Sequence, residues 1–234
     1  MTMQIMPRMR SEHLPGVPRG AQDHRDQDRY SALGDLRFRS LLPDRDWETL
    51  PAAVRRRFST RVAGGESVVY VGEVTEASRN LVGRLLAECL RLAGAPLPLS
   101  SETGLPSIVS VTEDVAGGGQ NWTRVQCTRR GFPQVVHSAK RFTGPTGLEE
   151  FLSRAISVSL RVCAEERALV FRSDHIALHL GNRRLRLPSL LSPGDLTVRH
   201  EELGNGRFRF SMTLAHRWFG TLIHQAGIYR EEKR

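Results

Sequence analysis

The residues of this chain best suited to chemistry lie in one short stretch: Trp122, Arg124, Ser138 and Lys140. Of the 34 basic residues 32 are arginine and 2 are lysine, and Lys233 stands at the C-terminus, so Lys140 is the lone lysine of the body. An ammonium is a compact point charge whose pKa moves on burial, whereas a guanidinium is planar and permanently charged. A single lysine among arginines is therefore a candidate for a task that needs an amine. It can neutralise a ligand's acidic group, or act as a nucleophile or general base with its pKa lowered by burial and by Arg124.

Residues 120–128 and 134–142 are strand-like and joined by 129–133, which predicts a hairpin. A symmetric loop opposes Trp122 to Lys140, Arg124 to Ser138 and Gln126 to Val136. Alternation puts these six on one face and Val125, Cys127, Val135, His137 and Ala139 on the other. If the first face is enclosed, the ammonium meets an indole ring and Arg124 can fork onto a carboxylate or phosphate. That site fits a small apolar or lipid-like ligand carrying an acidic group, with His216 from a C-terminal strand as a further contact. If the second face is enclosed, the polar residues are the wet side of an ordinary antiparallel sheet. Periodicity alone leaves both open.

Familiar catalytic signatures are missing. The chain has no GxSxG elbow, no GxxxxGK[ST] loop and no HExxH. Gly117-Gly118-Gly119 precedes a strand, so it lacks the strand–turn–helix setting of a dinucleotide fingerprint. Cys89, Cys127 and Cys163 are single and widely spaced, which predicts small buried hydrophobes, with neither a disulfide framework nor a zinc knuckle. His175 and His179 share a strand face without Asp, Glu or Cys placed around them as further ligands, so no metal and no cofactor is expected. Glu149-Glu150 reads as an exposed acidic pair in the first turns of a helix. The formal net charge of +9 raises anionic partners, but the arginines are spread along the chain, which argues against a nucleic-acid footprint. No apolar run suits a signal peptide or a membrane span, so the expectation is a cytoplasmic protein.

The elements that must position these residues are mostly strands. Residues 1–34 are polar and aperiodic and are expected to form a disordered tail before a single β-rich domain over 35–234. Trp47, Leu50, Val54 and Phe58 follow helical spacing, with Pro51 suited to a first turn. A strand over 66–75 precedes the strongest helix, 78–93, with an apolar stripe of Leu81, Val82, Leu85, Leu86, Cys89 and Leu90. After Ser107 come ten short strand candidates, with 167–173 and 175–180 separate, and one short helix over 148–152. Short turns between strands mean antiparallel pairing. The predicted class is α+β and β-rich: a curved antiparallel sheet or barrel with a covering helix.

Several local patterns carry a resemblance. They are Phe58-Ser59, the run from Gly119 to Arg124, the run from Gln134 to Phe142, and Gly147-Leu148-Glu149-Glu150. Near the C-terminus they are Arg207-Phe208-Arg209-Phe210, His216, Phe219-Gly220, Gln225 and Gly227. In these the stretch from Phe38 to Arg230 resembles a bacterial family known as domain of unknown function 4166. The resemblance implies no particular activity. Members look like free-standing cytosolic domains or domains attached behind Rossmann-type oxidoreductase modules. It therefore implies, as the rival to a ligand-binding domain, an accessory module docking on such an oxidoreductase partner.

Overall fold

β-Branched, alternating segments separated by glycine turns give eleven strands in the computed structural model, which describes residues 34–98, 100–181 and 183–232. The expected tail over 1–34 lies almost wholly outside the described residues. The first strands are β1 (Ser67–Arg79), β2 (Leu105–Asp114), β3 (Gly119–Gln126), β4 (Gln134–Arg141) and β5 (Glu149–Phe151). They continue with β6 (Ile156–Glu165), β7 (Ala168–Leu180), β8 (Arg183–Arg186), β9 (Asp195–Gly204), β10 (Arg207–His216) and β11 (Gly220–Glu231). Each pairs antiparallel with its neighbour from β1 to β7, then β7 with β9, β9 with β10, β10 with β11, and β11 with β1. Ten strands thus close into an antiparallel barrel, which leaves those ten no free edge. β8 stands outside the ring, paired with the second half of β7.

Three α-helices accompany it among the described residues. α1 (Asp44–Thr49) and α2 (Ala52–Ser59) each follow a proline, Pro43 and Pro51, and bury Trp47, Val54 and Phe58. These side chains join Phe38, Leu148, Leu160, Leu169 and Phe171 in the main core cluster. α3 (Leu81–Leu92) starts at Asn80, whose side chain accepts the Gly83 N–H at 2.8 Å, and packs on β11. Gly83 permits this approach: a Cβ there would lie 2.0 Å from the Leu222 carbonyl oxygen.

Inward residues of β10 run along the barrel as Phe208, Phe210, Met212 and Leu214. Phe208 lies beneath the Arg57 guanidinium of α2 at 3.8 Å, whereas Leu214 packs with Ala87 of α3. The interior therefore passes from an aromatic layer under α2 to an aliphatic one under α3.

Four local expectations need correcting. Residues 149–151 form a strand, not a helix, because they pair with both β4 and β6. The segments 167–173 and 175–180 are one strand, with a register shift opposite Ser159/Leu160. The cysteines are not buried hydrophobes, since Cys89 is exposed and the others are half-buried. Finally, the apolar stripe of α3 does not all face the protein: only Leu86 and Leu90 turn partly inward, while Leu81, Val82, Leu85 and Cys89 are exposed.

Candidate functional site

The β3–β4 hairpin carries the residues singled out from the sequence. Its register pairs Gln120 with Lys140, Trp122 with Ser138, and Arg124 with Val136. This differs by two positions from the symmetric expectation. β3 stops at Gln126 because the Cys127 N–H turns to the Pro106 carbonyl, and the Thr128 hydroxyl bonds the Arg130 and Phe132 carbonyls across the turn. A slip of two keeps every side chain on its face, and the face of Trp122, Ser138 and Lys140 is the barrel's interior.

Lys140 is 1 % exposed. Its Nζ lies 2.8 Å from Glu150 Oε1 and faces the rings of Trp122 at 5.3 Å and Phe171 at 5.7 Å. Sequence reasoning missed this partner. The short strand β5 separates the acidic pair, sending Glu150 inward and Glu149 outward, and neither is exposed. Ser138 donates to the same Glu150 oxygen at 2.6 Å, and Arg124 Nη1 reaches Ser138 Oγ at 3.5 Å. Burial pushes the Lys140 amine down, the Glu150 charge pulls it back up, and Arg124 pushes it down again. Burial would raise the Glu150 carboxyl, but Lys140, Arg124 and the hydroxyl of Ser138 outweigh it and hold the carboxyl at about 2. The Glu150 carboxyl is therefore ionised.

One carboxylate serves two cations. Arg124 retains some exposure as a residue, yet its Nε is shut off from solvent and has no hydrogen-bond partner. Its guanidinium lies over Phe210 at 5.0 Å. Beside it stands His200, buried among Phe58, Trp122, Phe171, Phe208 and Phe210, with neither ring nitrogen bonded. Burial, then the charges of Arg57, Lys140 and Arg124, holds its pKa well below the usual histidine value, so the ring is neutral. No sequence signal marked His200 over His216 or His224; only the barrel's closure brings it to Trp122.

His216, by contrast, is not brought to Lys140. It ends β10, where its ring lies against Trp218 and Phe219 and it borders a groove with His175, Arg186 and Arg217. Outside the barrel a second polar cluster forms on β5, β6, β7 and β8. Arg184 meets Glu149, Ser159 donates to Glu149 at 3.0 Å, and His175 bridges Ser159 to Asp174. Ser159 is fully buried and its proton is engaged by a carboxylate, so this Ser–His–Asp arrangement presents no free nucleophile. No group of three or more metal-ligating side chains occurs among the described residues.

Next to the polar layer lies an apolar cavity of about 220 Å³. Leu86 and Leu90 of α3, Val158 and Ile176 of the barrel, and Met212 and Leu214 of β10 form much of its wall. Val158 is the cross-strand neighbour of Glu150, and Met212 is two residues from Phe210, so cavity and charged layer adjoin. A smaller space of about 120 Å³ lies under α2 beside Arg57, Gln120 and Trp122.

No curated protein and no solved structure matches the chain. Residues 50–228 match the family described as Domain of unknown function (DUF4166), well over half of the 234 residues, and the chain belongs to that family.

Proposed function

We propose that the barrel binds a small amphipathic molecule whose acidic group enters the layer of Arg124, Lys140 and His200 and whose apolar body fills the cavity beneath α3. The observation that carries this reading is the imbalance of buried charge. Among the described residues Glu150 is the one carboxylate acting on both Lys140 and Arg124, while Arg124 Nε and both His200 nitrogens lack partners. An uncompensated buried cation costs several kcal/mol, of order 3–5, and a ligand carboxylate between these groups removes that cost. Phe210 and Met212 lead from the guanidinium to the cavity. An apolar cavity of about 150 Å³ stays dry and accepts benzene, so this one has room for a short acyl chain or a ring system. α3 acts as its cover. Trp122, Ser138 and Gln120 hold Lys140 and Glu150 in place, and His216 has no part in the site. The pairing of Lys140 with Glu150 speaks against its use as an amine nucleophile.

The test is native mass spectrometry of gently purified protein, followed by calorimetric titration with medium-chain carboxylates and with the matching alcohols. The expected result is carboxylate binding that exceeds alcohol binding by tenfold or more and weakens in Arg124→Met. Equal affinity for acid and alcohol, or no binding by folded protein, refutes the reading.

A further inference from the structure

Helix α3 bears more apolar surface than its packing uses. Leu81, Leu85 and Leu92 are 85 %, 68 % and 87 % exposed, and Val82, Leu85, Cys89 and Leu92 fall on one outward stripe. The surface continues past the helix. The Asn80 side chain donates to the Phe219 carbonyl, which ties the β10–β11 turn, with exposed Trp218 and Phe219, to the start of α3. Leu191, which lines the apolar cavity with Leu86 and Leu90, is exposed together with Leu190 on the third segment. Three segments thus place outward-facing leucines and aromatics around the cavity, a contiguous patch of a kind that marks a contact surface.

Charge identifies the occupant. Residues 80–94, 183–194 and 216–220 contain six arginines and a single acid, Glu88; Arg91 pairs with Glu88 at 3.0 Å and Arg184 with Glu149, which leaves Arg84, Arg183, Arg186 and Arg217 outside any ion pair among the described residues. Two acids line the neighbouring groove: Asp174, which is engaged by Arg161 and His175, and exposed Asp195. The Arg217 guanidinium lies 3.9 Å over the Trp218 ring. Leucines, an amphipathic tryptophan and arginines on one face are what the headgroup region of an anionic bilayer takes up, the apolar groups entering and the cations meeting lipid phosphates. We propose that this face docks peripherally on an anionic lipid bilayer and sets the cavity beneath α3 at the hydrocarbon boundary. Among the described residues no helix is long and apolar enough to cross a membrane. Docking goes beyond the proposed ligand binding and does not depend on it, but it supplies that ligand a path that never crosses water.

The experiment is sedimentation of the full chain with phosphatidylcholine vesicles, with and without about one-third phosphatidylglycerol, while tryptophan emission is recorded. Trp47 and Trp122 are buried, so a change in emission reports Trp218. The expected result is at least tenfold preference for the anionic vesicles, weakened by salt, with a blue shift of emission. Leu81→Ser/Leu85→Ser, at positions that solvent already surrounds, should lower partitioning about tenfold or more with an unchanged melting curve. Three outcomes overturn the proposal: no sedimentation, sedimentation indifferent to the leucine substitutions, or leucine-dependent self-association in place of vesicle binding. The carboxylate titration without vesicles reads the interior separately, so either proposal can fail while the other stands.

Discussion

Replacing Lys140 by methionine tests the electrostatics at the centre of the barrel. The substitution keeps the length and apolar stem of the side chain and removes its charge, leaving Glu150, which is 4 % exposed, with Ser138 and the more distant Arg124. Breaking a buried ion pair from one side costs about 3–5 kcal/mol. Because Arg124 still acts on Glu150, the lower end applies, about 3 kcal/mol. With a urea m value of about 2 kcal/mol/M, the unfolding midpoint should fall by roughly 1.5 M. Lys140→Met/Glu150→Gln removes both charges and keeps an acceptor for Ser138 but leaves Arg124 without its carboxylate, so it should recover part of the loss and not all of it. The pH dependence gives a second readout. In the parent, Glu150 titrates at about 2 against an ordinary 4.5, so its ionised form stabilises the fold. That contribution is complete above pH ~4.5 and is lost as pH falls toward 2. Without Lys140 only Arg124 and Ser138 oppose burial, so the carboxyl rises from about 2 and its ionised form stabilises the fold less. Urea curves at pH 4 and pH 7 should therefore show a larger loss at pH 7. A loss under about 1 kcal/mol, an equal loss at both pH values, or a double variant no better than the single one would refute the reasoning.

His200→Phe should raise the melting temperature by a few degrees, because it removes two unbonded buried nitrogens from an aromatic cage, and should weaken carboxylate binding; a lower melting temperature would mean that the ring has a polar partner in solution. Gly83→Ala should cost about 1–3 kcal/mol by thermal denaturation, since the new Cβ falls 2.0 Å from the Leu222 oxygen and lifts α3 from β11; an unchanged melting curve would contradict that close contact. Arg184→Met should destabilise by about 2–3 kcal/mol in chemical denaturation by stranding buried Glu149, and Arg184→Met/Glu149→Gln should recover most of it; absence of recovery would show that Arg184 acts by packing alone.

Most strand positions, the antiparallel arrangement and the sharing of one face by Trp122, Arg124, Ser138 and Lys140 were legible in the chain, because alternation and turn residues are local. The register was not. It turned on where Cys127 and Thr128 send their hydrogen bonds, which depends on β2 and on the turn's own carbonyls. Glu149-Glu150 misled because two adjacent acids suit the start of a helix as well as a strand, and only pairing with β4 and β6 makes them face opposite ways. The stripe on α3 misled in a different way: an apolar helix face shows what wants to be covered, and a leucine facing a bilayer reads like one facing a core.

The sequence by itself determined most of the secondary structure, its periodicities and the oddity of one lysine among arginines. Tertiary structure alone decided that Lys140 faces Glu150 and that His200, not His216, joins it. The reason is physical: a period of two defines a strand's two faces without saying which is dry. That is settled where β6 pairs with β7 and the remaining strands return to β1, between residues far apart in the chain.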